Sequence, residues 1–453
     1  MNNKVYSENN ILKALMHFAI PGVLCILVAE LYNMVDTFFV GKYVGAQSIG
    51  ALSVVFPIQR LIIAFSMCIS IGVSNMISRK LGEKNKKAIS KYVQSVNALT
   101  IILILFITVV VYFYIDKICF FLGARDEIYI HAVEYLKIVI FGSIFLTFTT
   151  VFGYINIAFG NVNIMLLSSS VGAIINAIVD YILVKYYHMG VKGAAIATVL
   201  SQVCSFILAY FFIIKLQKEH NFKMIPKVNL QVFKTILAIG FSSFIIEFSD
   251  ALLITVLNHL LLPIGGNDAI ILVGVVTKVS MFMYIAIVGV SSSMQPLISY
   301  NYGAKNFKKV KKIVKTGFSV VVILSSIIWI YMLFRAQDAI SIFLKDKRLL
   351  SLASSAFKKV ILVFPILSFY YVCIYFFQSV GKERYNFILS IYRESLLYIP
   401  IVIVVVSYFG VLGAWITYPI VDIISAVTGV ILLYRSLKEM DKNVWFNYHW
   451  WRC

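Results

Sequence analysis

Charge is the scarcest resource in this sequence. Only 13% of its 453 residues are Asp, Glu, Lys or Arg, about half the share of a water-soluble globular chain. With 61% hydrophobic residues and a mean hydropathy of +0.90, that scarcity excludes an ordinary soluble enzyme. Acidic residues are rarer still, 20 against 40 basic ones, for a net charge of +20. The excess does not form one nucleic-acid-binding surface. It falls in short clusters between long apolar runs, as in the loops of a membrane protein.

Other absences narrow the field. Cys25, Cys68, Cys119, Cys204, Cys373 and Cys453 are scattered, with no CxxC and no metal-ligand spacing, so neither a disulfide framework nor a zinc site is expected. There is no GxxxxGK[ST] phosphate loop, no HExxH, no paired acidic run of the DDxxD kind and no regular arginine array. An enzyme, a built-in ATPase and a voltage sensor are therefore not expected. No segment between the apolar runs is long enough for a soluble domain. The N-terminal run has a basic flank like a signal peptide, but Pro21, Glu30 and Asp36 interrupt it and no small-residue cleavage site follows. A retained first span is expected.

A spanning helix needs about 20 mostly apolar residues. Twelve segments qualify: roughly 14–40, 49–77, 92–115, 129–156, 162–186, 192–217, 230–262, 268–297, 314–335, 351–380, 385–408 and 411–435. The basic loops follow spans 2, 6 and 8. They contain Arg79, Lys80, Lys84, Lys86, Lys87 and Lys91; Lys215, Lys218, Lys223, Lys227 and Lys234; and Lys305, Lys308, Lys309, Lys311, Lys312 and Lys315. Positive-inside reasoning places these loops and both termini in the cytoplasm.

The chain also repeats itself. "GEKNKK" at Gly82 returns as "GAKNFKK" at Gly303, 221 residues later, and "GVKGAAI" at Gly190 returns as "GVLGAWI" at Gly410, 220 later. The expected fold is an all-α membrane protein of twelve helices in two pseudo-symmetric bundles of six around a central cleft. The lobes are 1–217 and 230–435, with a cytoplasmic linker at 218–229 and a cytoplasmic tail at 436–453. Six spans is an even number, so the repeats run parallel, as in many secondary transporters.

Polar residues inside such spans are costly and so mark function. "ELYNMVDTFFVG" places Glu30, Asn33 and Asp36 late in span 1. "INAIVDYILVK" places Asn176 and Asp180 four residues apart, on one face of span 5. At about 1.5 Å rise per residue, Thr198 in span 6 reaches the same depth. Asp36, Asn176, Asp180 and Thr198 are thus expected to converge. Adding 220 to the last three gives Leu396, Pro400 and Tyr418, so the second half lacks this set. The fold does not require it, which argues for function. The structural alternatives are an interfacial Asp36, an Asp180 paired with Lys185, and a Thr198 bonded to its own helix backbone.

The second half carries its own charges. Glu247 and Asp250 in span 7 and Lys278 in span 8 are candidates for either an ion pair or transport. Arg393 in span 11 and Asp422 in span 12 read as a structural ion pair. The role of Glu30 is open. Pro21, Pro57, Pro296, Pro365, Pro400 and Pro419 interrupt or end spans and are candidate bends.

"NMVDTFFVGKYVG", "ISRKLGEKN", "NAIVDYIL", "GVKGAAIAT" and "PLISYNYGAKN" together resemble the multidrug and toxic compound extrusion (MATE) family over about residues 10–435. The resemblance implies two six-helix lobes and export of organic, often cationic, compounds in exchange for inward H+ or Na+. The family's first-lobe cation site matches Asp36, Asn176, Asp180 and Thr198, a possible Na+ site. Its acid in span 7 best matches Asp250. The chain departs from the family after Gly240, where Phe241 replaces a frequent proline, and at "SSSMQP", where some relatives carry an acid.

The expected activity is secondary antiport by alternating access, in a plasma-membrane monomer surrounded by lipid. No cofactor beyond the coupling ion and no nucleic-acid partner are expected. The competing readings are a flippase for lipid-linked precursors, which would need a strongly basic cleft, and a non-transporting receptor or scaffold.

Overall fold

The computed structural model describes residues 4–344 and 346–441. The expected tail beyond residue 441, Cys453 included, lies outside the described residues. Among them there is no β-strand. Besides the short helices Lys4–Ser7 and Ile115–Phe121, the long helices are α1 (Ile11–Tyr43), α2 (Ala46–Gly82), α3 (Lys86–Phe113), α4 (Asp126–Ala158), α5 (Val162–Asp180), α6 (Gly190–His220), α7 (Leu230–Gly266), α8 (Asp268–Gly303), α9 (Phe307–Ser341), the bent pair α10 (Lys347–Val360 and Phe364–Val380), α11 (Glu383–Phe409) and α12 (Val411–Asp441). Eleven are long and apolar enough to cross a membrane singly, and α10 is a twelfth if its two segments form one span. The chain divides into two compact units, Met1–Asp250 and Ala251–Cys453, with the boundary inside α7.

Apolar side chains point outward as well as inward. Phe113, Phe121, Phe211 and Phe334 are exposed, Phe334 at 84%. Water would penalise such surfaces, whereas lipid does not. Helices suit that solvent because each satisfies its own backbone hydrogen bonds. Inside the first unit, Val40, Val55, Leu136, Val184, Val191 and Ala194 belong to one buried cluster that joins α1, α2, α4, α6 and the turn after α5.

The repeat is visible in the backbone of each unit. Lys84 and Lys305 take left-handed φ values of 57° and 58°. The asparagine after each then caps the next helix: Asn85 Oδ1 accepts from Ala88 N at 3.0 Å and Asn306 Oδ1 from Lys309 N at 3.1 Å. Gly190 and Gly410 open α6 and α12 with φ 57° and 58°, a conformation that favours glycine. Asn10 and Asn229 cap α1 and α7 in the same way, accepting from Lys13 N and Val232 N, both at 3.1 Å.

Two local departures from a plain helix matter. The span expected at 351–380 is broken into two segments bent by 53°. Pro365 sits in the first turn of the second segment. It has no N–H to continue the helix and disfavours helical geometry at Phe364. In addition, α5 continues past Asp180 as a π-helical turn, Tyr181–Tyr186, and α11 contains another, Tyr392–Tyr398.

Helices α2 and α7 cross at very short range inside the first unit. A Cβ on Gly240 would lie 1.7 Å from the Cys68 carbonyl oxygen, and one on Gly72 would lie 2.1 Å from that of Ile236. Small residues allow this approach in membrane helices. Because the obstacle is backbone, Gly240→Ala is expected to destabilise by about 1–3 kcal/mol, the usual range for overpacking. The check is the apparent melting temperature of detergent-purified protein, and an unchanged value would contradict the packing described.

Candidate functional site

The first unit buries a polar site within apolar helices. Asp36 on α1 is 6% exposed, while Asn176 and Asp180 on α5 are 0% and Thr198 on α6 is 1%. Two kinds of local geometry aim them together. Asn176 and Asp180 are one helical turn apart, so they share a face. Gly190 begins α6 so that Thr198 lies two turns into it.

Asp36 is the hub. Its Oδ1 accepts from Asn176 Nδ2 at 3.0 Å, and its Oδ2 lies 2.7 Å from Thr198 Oγ1. The Tyr135 hydroxyl on α4 donates to the same Oδ2 at 3.0 Å, and Gln59 Nε2 donates to that hydroxyl at 3.3 Å. Thr198 Oγ1 also lies 3.0 Å from the Ala194 carbonyl oxygen. Its single proton serves one acceptor at a time, so the backbone bond and the Asp36 bond are alternatives at one hydroxyl. Beside this network the Tyr32 hydroxyl sits 2.9 Å from Ser201 Oγ.

Asp180 is the unsatisfied member. Both its carboxyl oxygens, with Oδ1 of Asn176 and Oε1 of Gln202, are buried and accept no hydrogen bond from a neighbouring N–H or O–H. Its carboxyl adjoins that of Asp36 and feels its charge. It is not neutralised by Lys185, whose Nζ donates to the Tyr181 hydroxyl at 2.6 Å. Two adjoining carboxylates in low dielectric cannot both stay charged without a proton or a cation. The oxygens that lack donors are carboxylate and amide oxygens, the donor set a hard cation prefers. Among the described residues no group of three His, Cys, Asp or Glu is placed to hold a metal. Any cation here would therefore rely on two carboxylates plus neutral oxygens.

A second charged group lies in the same unit, on α1, α2 and α7. Arg60 on α2 binds Glu30 on α1 through Nη2, 3.1 and 3.3 Å from the two carboxylate oxygens, and its Nη1 is 3.9 Å from Glu247 on α7. This gives Glu30 a partner. Asp250, the last residue of the first unit, is exposed on α7, and Lys278 is exposed on α8 of the second unit. The Asn33 side chain lies outside the described residues.

In the second unit the structure brings Arg393 and Asp422 together: Arg393 Nε donates to Asp422 Oδ1 at 2.8 Å. It also adds two partners. Arg393 Nη1 donates to Glu394, and Nη2 donates to the Tyr284 hydroxyl at 3.1 Å. Arg393, Glu394 and Asp422 are all at most 5% exposed.

Sequence reasoning assembled the four-residue set but passed over Tyr135, Gln59, Arg60 and Glu394. Tyr135 hides among 27 tyrosines and 35 phenylalanines. Arg60, a lone charge in the middle of the second apolar run, was a usable signal.

The comparisons with known proteins agree with this architecture. A family model described as MatE matches residues 21–182 and 238–404, well over half of the chain. The multidrug export protein MepA of Staphylococcus haemolyticus is 27% identical over 447 residues, covering 96% of this chain and 97% of its own. MepA of Staphylococcus aureus is 26% identical over 440 residues, covering 95% of each. Among solved structures, an outward-facing multidrug resistance MATE family transporter of the MOP superfamily superposes with a TM-score of 0.91 at 22% identity, over 98% of this chain and 99% of the other. A MOP superfamily transporter from Pyrococcus furiosus, described as having a binding pocket of reversed polarity that suggests a different function, superposes with a TM-score of 0.88 at 22% identity, over 97% and 98%. The fold is that of these transporters, and the chain belongs to the MatE family as a multi-pass membrane protein.

Proposed function

We propose that this protein is a secondary antiporter of the plasma membrane that exports organic, often cationic, compounds in exchange for inward H+ or Na+. The observation that carries the reading is the buried pair Asp36–Asp180, with unpartnered acceptors on Asp180, Asn176 and Gln202. Such a site gains most from a positive charge that can come and go. A proton shared by the two carboxyls, or Na+ held by Asp36, Asn176, Asp180 and Thr198, would supply it. The polarity of the basic loops supports cytoplasmic termini. In the proposed exchange the coupling ion enters from outside.

Coupling requires that ion and drug each prefer a different arrangement of the protein. Ion binding draws α1, α5 and α6 together around Asp36. Drug binding favours the arrangement in which that site is neutralised differently. The repeat, with its two lobes and linker at 218–229, supplies parts that can alternate. The MepA relatives, named as multidrug exporters, support the substrate class. A precursor flippase would need a strongly basic cleft, whereas Glu30, Asp36, Asp180 and Glu247 lie far inside the first unit's helices along with Arg60. A scaffold gives no reason to bury two unneutralised carboxyls. Monomer function and the absence of a cofactor remain part of the proposal.

Purified protein in liposomes, with proton and sodium gradients imposed separately, tests this through dye flux. One gradient is expected to drive flux in the wild type, and Asp36→Asn is expected to abolish it while the protein stays folded and monodisperse. Wild-type flux by Asp36→Asn would refute the role of Asp36. Tyr135→Phe removes one donor to a charged acceptor, worth roughly 1.5–3 kcal/mol. It is expected to shift half-saturation for the coupling ion by about tenfold or more, with maximal flux less affected. An unchanged half-saturation would remove Tyr135 from the site.

A further inference from the structure

The ion group around Arg60 lies outside the coupling site, and its geometry is unusual for a structural salt bridge. Arg60 is engaged twice by Glu30, at 3.1 and 3.3 Å, but only loosely by Glu247, at 3.9 Å. Two carboxylates against one guanidinium leave a surplus of one negative charge when all are ionised. The three side chains are also partly exposed: 15% for Glu30, 26% for Arg60 and 37% for Glu247. Glu30, Arg60 and Glu247 lie 19, 14 and 17 residues into helices α1, α2 and α7, roughly 20–30 Å along their axes by helical rise. Charges at that depth do not face lipid, so the exposed side of this group opens on water.

Aromatic rings line the same surface. The guanidinium of Arg60 lies 5.0 Å from the centroid of Phe56. On α7, Phe241, Phe244 and Phe248 form a ladder, with neighbouring centroids 5.7 and 6.3 Å apart and planes within 14° of parallel. Phe65 of α2 packs on Phe244 at 4.8 Å. Glu247 is three residues after Phe244, so acid and ladder share a face of the helix. Phe56, Phe241 and Phe248 are all more than 40% exposed. A delocalised planar cation is thus already seated between two carboxylates and over a ring, beside a column of further rings. Cations of that kind bind such surroundings through charge and ring quadrupole together.

We infer that Glu30, Glu247 and Phe56 form a subsite for the charged end of a flat organic cation, that the Phe241–Phe244–Phe248 ladder takes its aromatic body, and that Arg60 is a tethered competitor for the same carboxylates. The inference rests on the organic-cation reading above and adds the place and the competing residue. In the absence of drug Arg60 partly neutralises the pair. A cationic drug takes over Glu247, the loosely held acid, and Arg60 retreats onto Glu30. A neutral compound gains nothing from the exchange. Arg60 is therefore a specificity-determining residue: it sets the affinity threshold and the charge preference.

The test is equilibrium binding to detergent-purified full-length protein, without gradients, using tetraphenylphosphonium as the cationic probe and triphenylphosphine oxide as the uncharged one. Arg60→Gln is expected to bind tetraphenylphosphonium about tenfold more tightly than the wild type, and Arg60→Lys to stay within about threefold. Glu247→Gln is expected to bind it about tenfold more weakly, and none of the three to change binding of the uncharged probe. A scaffold role for Arg60 predicts the opposite, a lower melting temperature with weaker binding of both probes, and would overturn the inference. So would equal affinity in the wild type and Arg60→Gln, or no binding of tetraphenylphosphonium by either. Because no gradient is applied, failure here leaves ion coupling at Asp36 standing, and loss of coupling in liposomes leaves this subsite standing.

Discussion

An ionised carboxyl buried among apolar helices must find a counter-charge, a proton or a cation, and the polar design of this protein follows from that requirement. Asp36 and Asp180 adjoin each other where neither Lys185 nor a neighbouring N–H or O–H donates to Asp180. Four helices contribute to the arrangement: α1 brings Asp36, α5 brings Asn176 and Asp180, α6 brings Thr198, and α4 brings Tyr135. The donors satisfy Asp36, whereas Asp180 receives none of them and faces the Asp36 carboxyl. On the proposed reading that asymmetry makes the site responsive, because the energy of the whole group would change when one positive charge arrives or leaves.

The other intramembrane charges show what a compensated group looks like. Arg393 uses three nitrogens, on Asp422, Glu394 and the Tyr284 hydroxyl, and all three charged residues are buried. Removing one partner from such a group is strongly destabilising, while its presence is weak evidence of added stability. Arg60 is intermediate: tightly held on one side, loosely on the other, and partly in water. The three groups thus differ in how completely their charges are paired within the structure. The repeat accounts for the scaffold they share. The paired caps at Asn85 and Asn306, and the paired left-handed glycines at Gly190 and Gly410, show the same turns built twice.

Much of this was legible before any coordinates. Apolar runs of spanning length and the two offsets of about 220 announced the helices and the repeat. Depth counted from loop positions grouped Asp36, Asn176, Asp180 and Thr198, because helical rise is uniform enough for distant segments to be aligned. What was not legible has specific causes. Tyr135 is one aromatic among many, and nothing in its neighbours marks its hydroxyl as a donor. Glu394 follows Arg393 directly, a spacing that does not bring side chains face to face in an α-helix. Here the π-helical stretch Tyr392–Tyr398 carries both, and Arg393 reaches Glu394 within it. The bend in α10 could be suspected from Pro365, but its 53° angle depends on packing. The partner of Glu30 was missed because Arg60 was read as part of an apolar run rather than as a charge needing an answer.

The central claim is that Asp36 and Asp180 share one exchangeable positive charge. Infrared difference spectroscopy of the purified protein tests it most directly, through the carboxyl stretching region during a change of pH or a step in sodium concentration. The account predicts a carboxyl signal in the wild type that disappears in both Asp36→Asn and Asp180→Asn. A difference spectrum that is the same in wild type and both variants would contradict it.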